Sequence, residues 1–270
     1  KHKVALRARS EPHQSPMTDV VYPHKGPFET LVNASRSRAQ AAEIGIIYGL
    51  PNDKSLPGYV KKLDFFIKED LILENYVAIL STRSLGARSS ASRILVLRSL
   101  LCNPLVVRSS RRLAKLVLSF VSTRRREIVI EKVQAFGPEF DSLWQRVRDQ
   151  LPNAQVRDAR YLAWRYNKNP FSFVVFSAKK EDKLLGYLVM LTVHHGGGNA
   201  FSHSILIDWL YDTVPASSAP KALLSAAIRH AIEQEADVIS AVISRGSPLL
   251  LPFSSIGFIR RKRKMPVIFN

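Results

Sequence analysis

Apolar residues along the chain follow two spacings, and most changes of spacing fall at Pro, Gly or Asn. Short runs at Val4–Ala8, Met17–Val21 and Ile46–Tyr48 have the length of strands, and the last has the β-branched content of a buried one. Between the second and third runs, Phe28, Leu31, Val32, Ser35, Ala39 and Ala42 recur at helical spacing, which predicts a helix with one face on a sheet. Gly49, Pro51 and Asn52 end the third strand. Ser55 is then the predicted N-cap and Pro57 a first-turn residue of a short helix that aligns Tyr59, Val60 and Leu63. Extended spacing resumes at Phe65–Ile67 and again at Leu71–Leu80.

Residues 81–126 differ in character. Ser, Arg and Leu dominate, and seven of the residues from Arg108 to Arg126 are Lys or Arg while none is acidic. Leu113, Leu116, Val117 and Phe120 form a stripe beside Arg111, Arg112 and Lys115, which predicts a basic amphipathic helix linking two halves. Such a helix either packs on the halves with a solvated charged face or touches anionic lipid or polymer. A strand at Glu127–Phe136 and a helix at Glu139–Leu151 follow, then a helix capped by Asp158 and stopped by Pro170. Phe173–Phe176 and Leu184–Val193 read as a hairpin, and the second strand is apolar on both faces, as a central strand is. The run Ile205–Asp208, Ala219–Glu233, Val238–Ile243, Ser247–Ile256 and the strand opened by Gly257–Phe258 repeats the upstream order of strand, helix, strand, short helix, strand. The chain therefore reads as an internal duplication, with boundaries at 1–80, 81–126 and 127–270.

Composition narrows the partners. A net charge of +18 and a pI near 10.3 attract nucleic acid, anionic lipid head groups, acidic glycans or the phosphates of coenzyme A. The basic-aromatic interleaving of nucleic-acid modules is absent, so no specific nucleic-acid partner is predicted, and peripheral contact with an anionic membrane or glycan stays open. The single cysteine, Cys102, excludes an intramolecular disulfide and fits a reducing, cytoplasmic setting. No apolar run approaches the roughly 20 residues of a membrane span. His194, His195 and His203 flank Gly196–Gly198 with only Asp208 near, a spacing that does not suggest a metal site. Arg260–Lys264 is a basic run that fits the turn and edge of a closing hairpin.

The turn before the first long helix carries candidate chemistry. A pyrophosphate needs free N–H groups at a helix start, a glycine that lets the backbone come close, and a cation. His24, Lys25, Gly26 and the helix start at Phe28 offer these, although Pro27 removes one donor; a plain basic turn is the other reading. The corresponding turn downstream, Thr213–Pro220, has no glycine and no cation before Lys221. Asn52, Ser55 and Tyr59 read structurally as turn former, cap and core aromatic.

TDVVYPHKGPFETLV, YGLPNDKSLPGYVKKLDF, YLAWRYNKNP and GYLVM together resemble segments of the GNAT N-acetyltransferase superfamily in a tandem arrangement. The resemblance covers most of the chain and implies an α/β fold of two GNAT-like units, each a mixed central sheet flanked by helices. The first unit is expected to be truncated, because the hairpin and helices that would precede Val4 are not in the sequence. The implied activity is N-acyl transfer, by direct attack of an amine on acyl-CoA, with acetyl-CoA as donor and no metal. On that resemblance Val20 or Val21 supplies a backbone N–H to the thioester carbonyl, His24, Lys25, Gly26, Phe28, Asn52 and Ser55 hold the cofactor, and Tyr59 protonates the departing thiolate. Asp19 and Asp208 qualify as bases by their strand-end positions. Arg165, Tyr166 and Asp208 are placed at an acceptor cleft, the other reading being that Trp164 and Tyr166 anchor packing while Arg165 pairs with a carboxylate. A binding or scaffold protein that kept the fold without the cofactor site is the rival reading.

Overall fold

The computed structural model describes residues 10–12, 27–52, 54–82, 128–151, 154–196, 201–213 and 218–270, together with 103, 106 and 109. The strands predicted at Val4–Ala8 and Met17–Val21, Cys102 and nearly all of the basic linker lie outside the described residues. Two compact units are present, one formed by Lys1–Glu74 with Arg263–Asn270 and the other by Asn75–Lys262. The last eight residues thus group with the first unit and not with the rest of 127–270.

In the first unit, β1 (Ser10–Pro12) pairs in parallel with β2 (Ile46–Gly49), which pairs antiparallel with the end of β9 (Ile259–Phe269). The strand β3 (Phe66–Ile79) begins on the other side of β9. The helix α1 spans Pro27–Ala41, close to its predicted limits, but its stripe is rotated: Val32 and Ala39 are buried, Phe28 and Arg36 half-buried, and Leu31, Ser35 and Ala42 exposed. The core is small, built from Val32, Tyr59, Leu63, Phe65 and Ile268. Ile46 is exposed, so β2 is a half-covered strand and not a buried one. The basic run Arg260–Lys264 falls inside β9, ahead of the residues, Ile268 and Phe269, that pair with β2.

The second unit holds most of the core. Its strands are ordered β8-β7-β6-β5-β4, with the end of β3 (Phe66–Ile79) beside β8. Here β4 is Val129–Val133, β5 Val174–Lys180, β6 Lys183–His195, β7 Phe201–Tyr211 and β8 Val238–Ser244. The first four pair antiparallel and β7 with β8 in parallel. As predicted, β6 is central, and Tyr187, Leu188, Val189 and Met190 are fully buried. Helix α3 (Pro138–Val147) buries Phe140, Leu143, Trp144 and Val147, and Phe140 meets Tyr187 at 5.7 Å. Helix α5 is Ala219–Glu233, as the pattern of Leu224, Ile228 and Ile232 predicts, and each of these side chains stabilises the unit by about 1.5–3 kcal/mol through burial. The helix predicted at Ser247–Ile256 shrinks to one turn at Phe253–Ile256, because Pro252 would fall in its interior and interrupt it. Gly257 then takes φ +83°, a left-handed conformation that suits glycine, and β9 begins.

The two units share part of an element order. Each 15-residue helix, α1 and α5, has a proline at its first or second position and is followed by a strand, a short helical turn and a long strand.

Candidate functional site

The predicted site residues fall into three groups. Asp19, Val20, Val21, His24, Lys25 and Gly26 lie outside the described residues. Phe28, Asn52, Ser55 and Tyr59 come together in the first unit, around α2 (Leu56–Lys62). Ser55 holds the N-cap position of this helix without a side-chain cap bond, and Asn52 closes the turn before it. The Asn52 carboxamide oxygen accepts from the Lys54 and Ser55 N–H groups at 3.0 and 2.9 Å, whereas the Ser55 side chain makes no cap bond. Tyr59 is 3% exposed and lies edge-on between Phe28 at 4.9 Å and Phe65 at 5.1 Å; burial pushes its phenol pKa up.

Arg165, Tyr166 and Asp208 form the third group, in the second unit. A bulge places the carboxylate. Val189 faces Asp208 while Met190 faces Leu206, so Ile207 is an extra residue in β7. Beyond it, Asp208 and Leu210 share one face of the sheet, and Trp209 and Tyr211 the other. The Asp208 Oδ1 accepts from Arg157 Nε at 3.0 Å, and its Oδ2 accepts from the Tyr166 and Tyr187 hydroxyls at 3.1 and 3.3 Å. The Asp208 side chain is only 12% exposed, which suits an acceptor with three donors.

A second layer extends outward. Arg165 Nε donates to the Tyr166 hydroxyl at 3.2 Å and Arg165 Nη1 to the Tyr161 hydroxyl at 2.9 Å, with the guanidinium over both rings. Among the described residues Arg165 meets no carboxylate; Arg157, in the irregular segment before Asp158, takes that role. Asp158 caps α4 (Ala159–Leu162), accepting from Tyr161 N–H at 2.7 Å, and a π-helical turn at Ala163–Asn167 aims Tyr166 inward and leaves Trp164 61% exposed. Trp164 is therefore not a packing anchor. It lines an open pocket of about 600 Å³ with Tyr161, Asp158, Arg160 and Lys168.

The phenols stay protonated in neutral water. Burial, then the Asp208 charge, pushes Tyr166 and Tyr187 well above the ordinary phenol range. For Tyr161 burial raises the pKa and Arg165 opposes it. Burial tends to discharge Arg157, and the adjacent Asp208 carboxylate with the Tyr187 and Tyr166 hydroxyls together outweighs it, so its pKa is raised. The Tyr161 hydroxyl accepts from Arg165, and among the described residues its own proton has no acceptor, so it can donate into the pocket.

Next to this cluster the parallel pairing stops. Strands β7 and β8 are paired from His203–Val238 to Leu206–Ala241, although β7 continues to Tyr211 and β8 to Ser244. The backbones beyond Leu206 and Ala241 are free of one another. On the far face, Trp209 Nε1 donates to the Leu249 carbonyl at 2.7 Å and the Tyr211 hydroxyl to the Leu250 carbonyl at 3.0 Å, which fixes the loop after β8.

The histidines have other partners. His194 bonds the Ser202 hydroxyl, His203 the Ser240 hydroxyl, and His195 stacks on Phe201. Among the described residues no three His, Cys, Asp or Glu side chains stand close enough to hold a metal ion. No helix there is long and apolar enough to cross a membrane.

No family model matches the chain, and no curated protein matches it in sequence. Solved structures do match in fold. A tandem GNAT protein from the clavulanic acid biosynthesis pathway is 8% identical, with a TM-score of 0.57 over 98% of this chain and 75% of its own. Saccharomyces cerevisiae N-myristoyltransferase with bound myristoyl-CoA is 10% identical, with a TM-score of 0.58 over 94% of this chain and 60% of its own. A GCN5-related N-acetyltransferase from Anabaena variabilis is 13% identical, with a TM-score of 0.50 over 92% of this chain and 51% of its own. The chain thus has the mixed α/β, GNAT-like fold that its sequence implies, and it spans about half to three quarters of the length of these neighbours.

Proposed function

We propose that the chain is an acyl-CoA-dependent N-acyltransferase whose acyl donor enters where β7 and β8 separate and whose amine acceptor is held by the Asp208 cluster. The separation of the two strands beside the bulge carries the reading. Free backbone N–H groups on β7 can bind the thioester carbonyl, and a preorganised donor there lowers the barrier to attack by an amine held close by. Asp208 orients Tyr166 and, through it, Arg165; Tyr161 offers a proton toward the pocket. Tyr59, enclosed by Phe28 and Phe65, is then a core residue of the first unit. The likeness in fold to acyltransferases supports the reaction class, and the donor and acceptor identities rest on this reading.

Calorimetric titration with acetyl-CoA, followed by transfer to a panel of amines, tests it. Val242 is the first residue of β8 beyond the pairing, and Val242→Trp is expected to weaken binding by about tenfold or more. A Gly26→Asp variant, which sets a carboxylate in the first unit's turn, is expected to bind as the parent does. Loss of binding in Gly26→Asp alone would move the cofactor to the first unit. Failure of the parent to bind any acyl-CoA would refute the proposal.

A further inference from the structure

We propose that the groove between α5 and the edge strand β4 binds an amphiphilic anion, an aliphatic chain ending in a carboxylate or a phosphate, at a site separate from the Asp208 cluster. The groove encloses about 920 Å³. Its shape follows from the α5 sequence. Leu223, Leu224 and Ile228 pack inward, whereas the stripe facing β4 carries Ala222, Ser225 and Ala226, whose small side chains leave the space open. Ile128, Ile130 and Phe176 make an apolar floor.

Charge and one buried ring define the head of the ligand. Lys132 from β4 and Lys221 and Arg229 from α5 line the groove, and among the described residues none of them is in an ion pair. Among the described residues that line it, Glu233 is the single carboxylate. His230 is 8% exposed, its ring edge-on to Phe176 at 5.6 Å, and its Nδ1 has no hydrogen-bond partner among the described residues. Glu233 Oε2 stands 3.8 Å from that nitrogen, beyond hydrogen-bonding reach. A buried ring nitrogen left in this state points to a missing partner. An anionic oxygen between Lys132, Arg229 and His230 supplies it, and the attached chain covers the floor toward Leu250 and Pro252. A bare phosphate would leave that floor uncovered, and a neutral lipid would leave the cations unanswered.

The experiment is calorimetry on the full chain with octanoate, decanoate and dodecanoate below their micelle-forming concentrations, beside decyl phosphate, decanol and inorganic phosphate. Each two-carbon step is expected to tighten binding by about tenfold until the floor is filled. Decanoate and decyl phosphate are both expected to bind, and if one alone binds it identifies the head group. Arg229→Glu should weaken decanoate by about tenfold or more, and Ala226→Leu, which fills the groove without changing charge, should abolish the dependence on chain length. Circular dichroism identifies a variant that fails to fold, in which case Lys132→Glu on the strand side replaces it. Equal binding of decanol and decanoate, equal binding of phosphate and decyl phosphate, unchanged affinity in folded variants, or no binding of any probe would each overturn the proposal. Acetyl-CoA binding is expected to be the same in Arg229→Glu as in the parent, so this site and the acyl-donor site are judged separately.

Discussion

Replacing Asp208 with Asn isolates what the carboxylate does for the second unit. The substitution keeps the shape, but the side chain then has one acceptor oxygen and an NH₂ group that faces donors. Arg157, Tyr166 and Tyr187 all donate to Asp208, so at least one of them loses its acceptor and meets another donor. Hydrogen bonds to a charged group contribute about 1.5–3 kcal/mol each, and breaking a buried ion pair by removing one partner costs about 3–5 kcal/mol. The pair here is 21% and 12% exposed, slightly short of full burial, so about 3–4 kcal/mol is expected. For a unit spanning Asn75–Lys262 this corresponds to a fall in melting temperature of about 6–16 °C. All three tryptophans, Trp144, Trp164 and Trp209, belong to this unit, and two are nearly buried, so fluorescence-detected urea unfolding reports on it selectively. Arg157→Met in the Asp208→Asn background should cost much less than in the parent, because the lone guanidinium is then already without its partner. A loss under about 1 kcal/mol for Asp208→Asn, or strict additivity with Arg157→Met, would refute the account of Asp208 as the shared acceptor.

Two further outcomes follow from packing and burial. A Cβ on Gly186 would lie 2.8 Å from both the Leu210 carbonyl oxygen and the Tyr211 Cβ, so Gly186→Ala should cost about 1–3 kcal/mol in urea unfolding; an unchanged midpoint would mean that β6 and β7 have slack. Burial first, and then Lys132, lowers the His230 pKa, while Glu233 opposes them. The unfolded chain therefore takes up the proton first: the stabilisation is fully present above about pH 6.5 and is lost as pH falls toward the lower folded value. The melting-temperature difference between the parent and His230→Phe should shrink between neutral pH and pH near 5.5, and a constant difference would rule out His230 as a contributor.

Much of the fold was legible because its elements carry their own signals. Helix α5 runs between the predicted residues, Asp158 caps as its position suggests, and β6 is central as its two apolar faces require. Local chemistry misled at Ser55, which holds the N-cap position but makes no side-chain cap bond, its hydroxyl donating to the Asn52 carbonyl at 3.3 Å instead. The α1 stripe was misjudged because Leu31 and Val32 are both apolar, and only the arrangement of Tyr59, Leu63, Phe65 and Ile268 decides which of them is covered. Arg165, Tyr166 and Asp208 were grouped on resemblance alone, and the structure links their side chains by hydrogen bonds. Arg157 had no signal, since it lies in an irregular segment and its partner is 51 positions away. The α5 groove was equally hidden: Ala222 and Ala226 read as ordinary helix formers until β4 is seen opposite them.

The extra residue in β7 also sets a parity for everything after it. In a pleated strand each side chain's face depends on an odd or even count from a fixed point, so straightening the bulge while keeping every residue would shift Asp208–Tyr211 by one register position. It would invert four successive residues at once: Asp208 and Leu210 would exchange faces with Trp209 and Tyr211, leaving the Tyr187 hydroxyl without a carboxylate and the Leu249 carbonyl without an indole. Deleting Ile207 removes the bulge and the extra residue together and leaves Asp208–Tyr211 on their present faces, so the segment should tolerate that deletion far better than a straightening of the bulge.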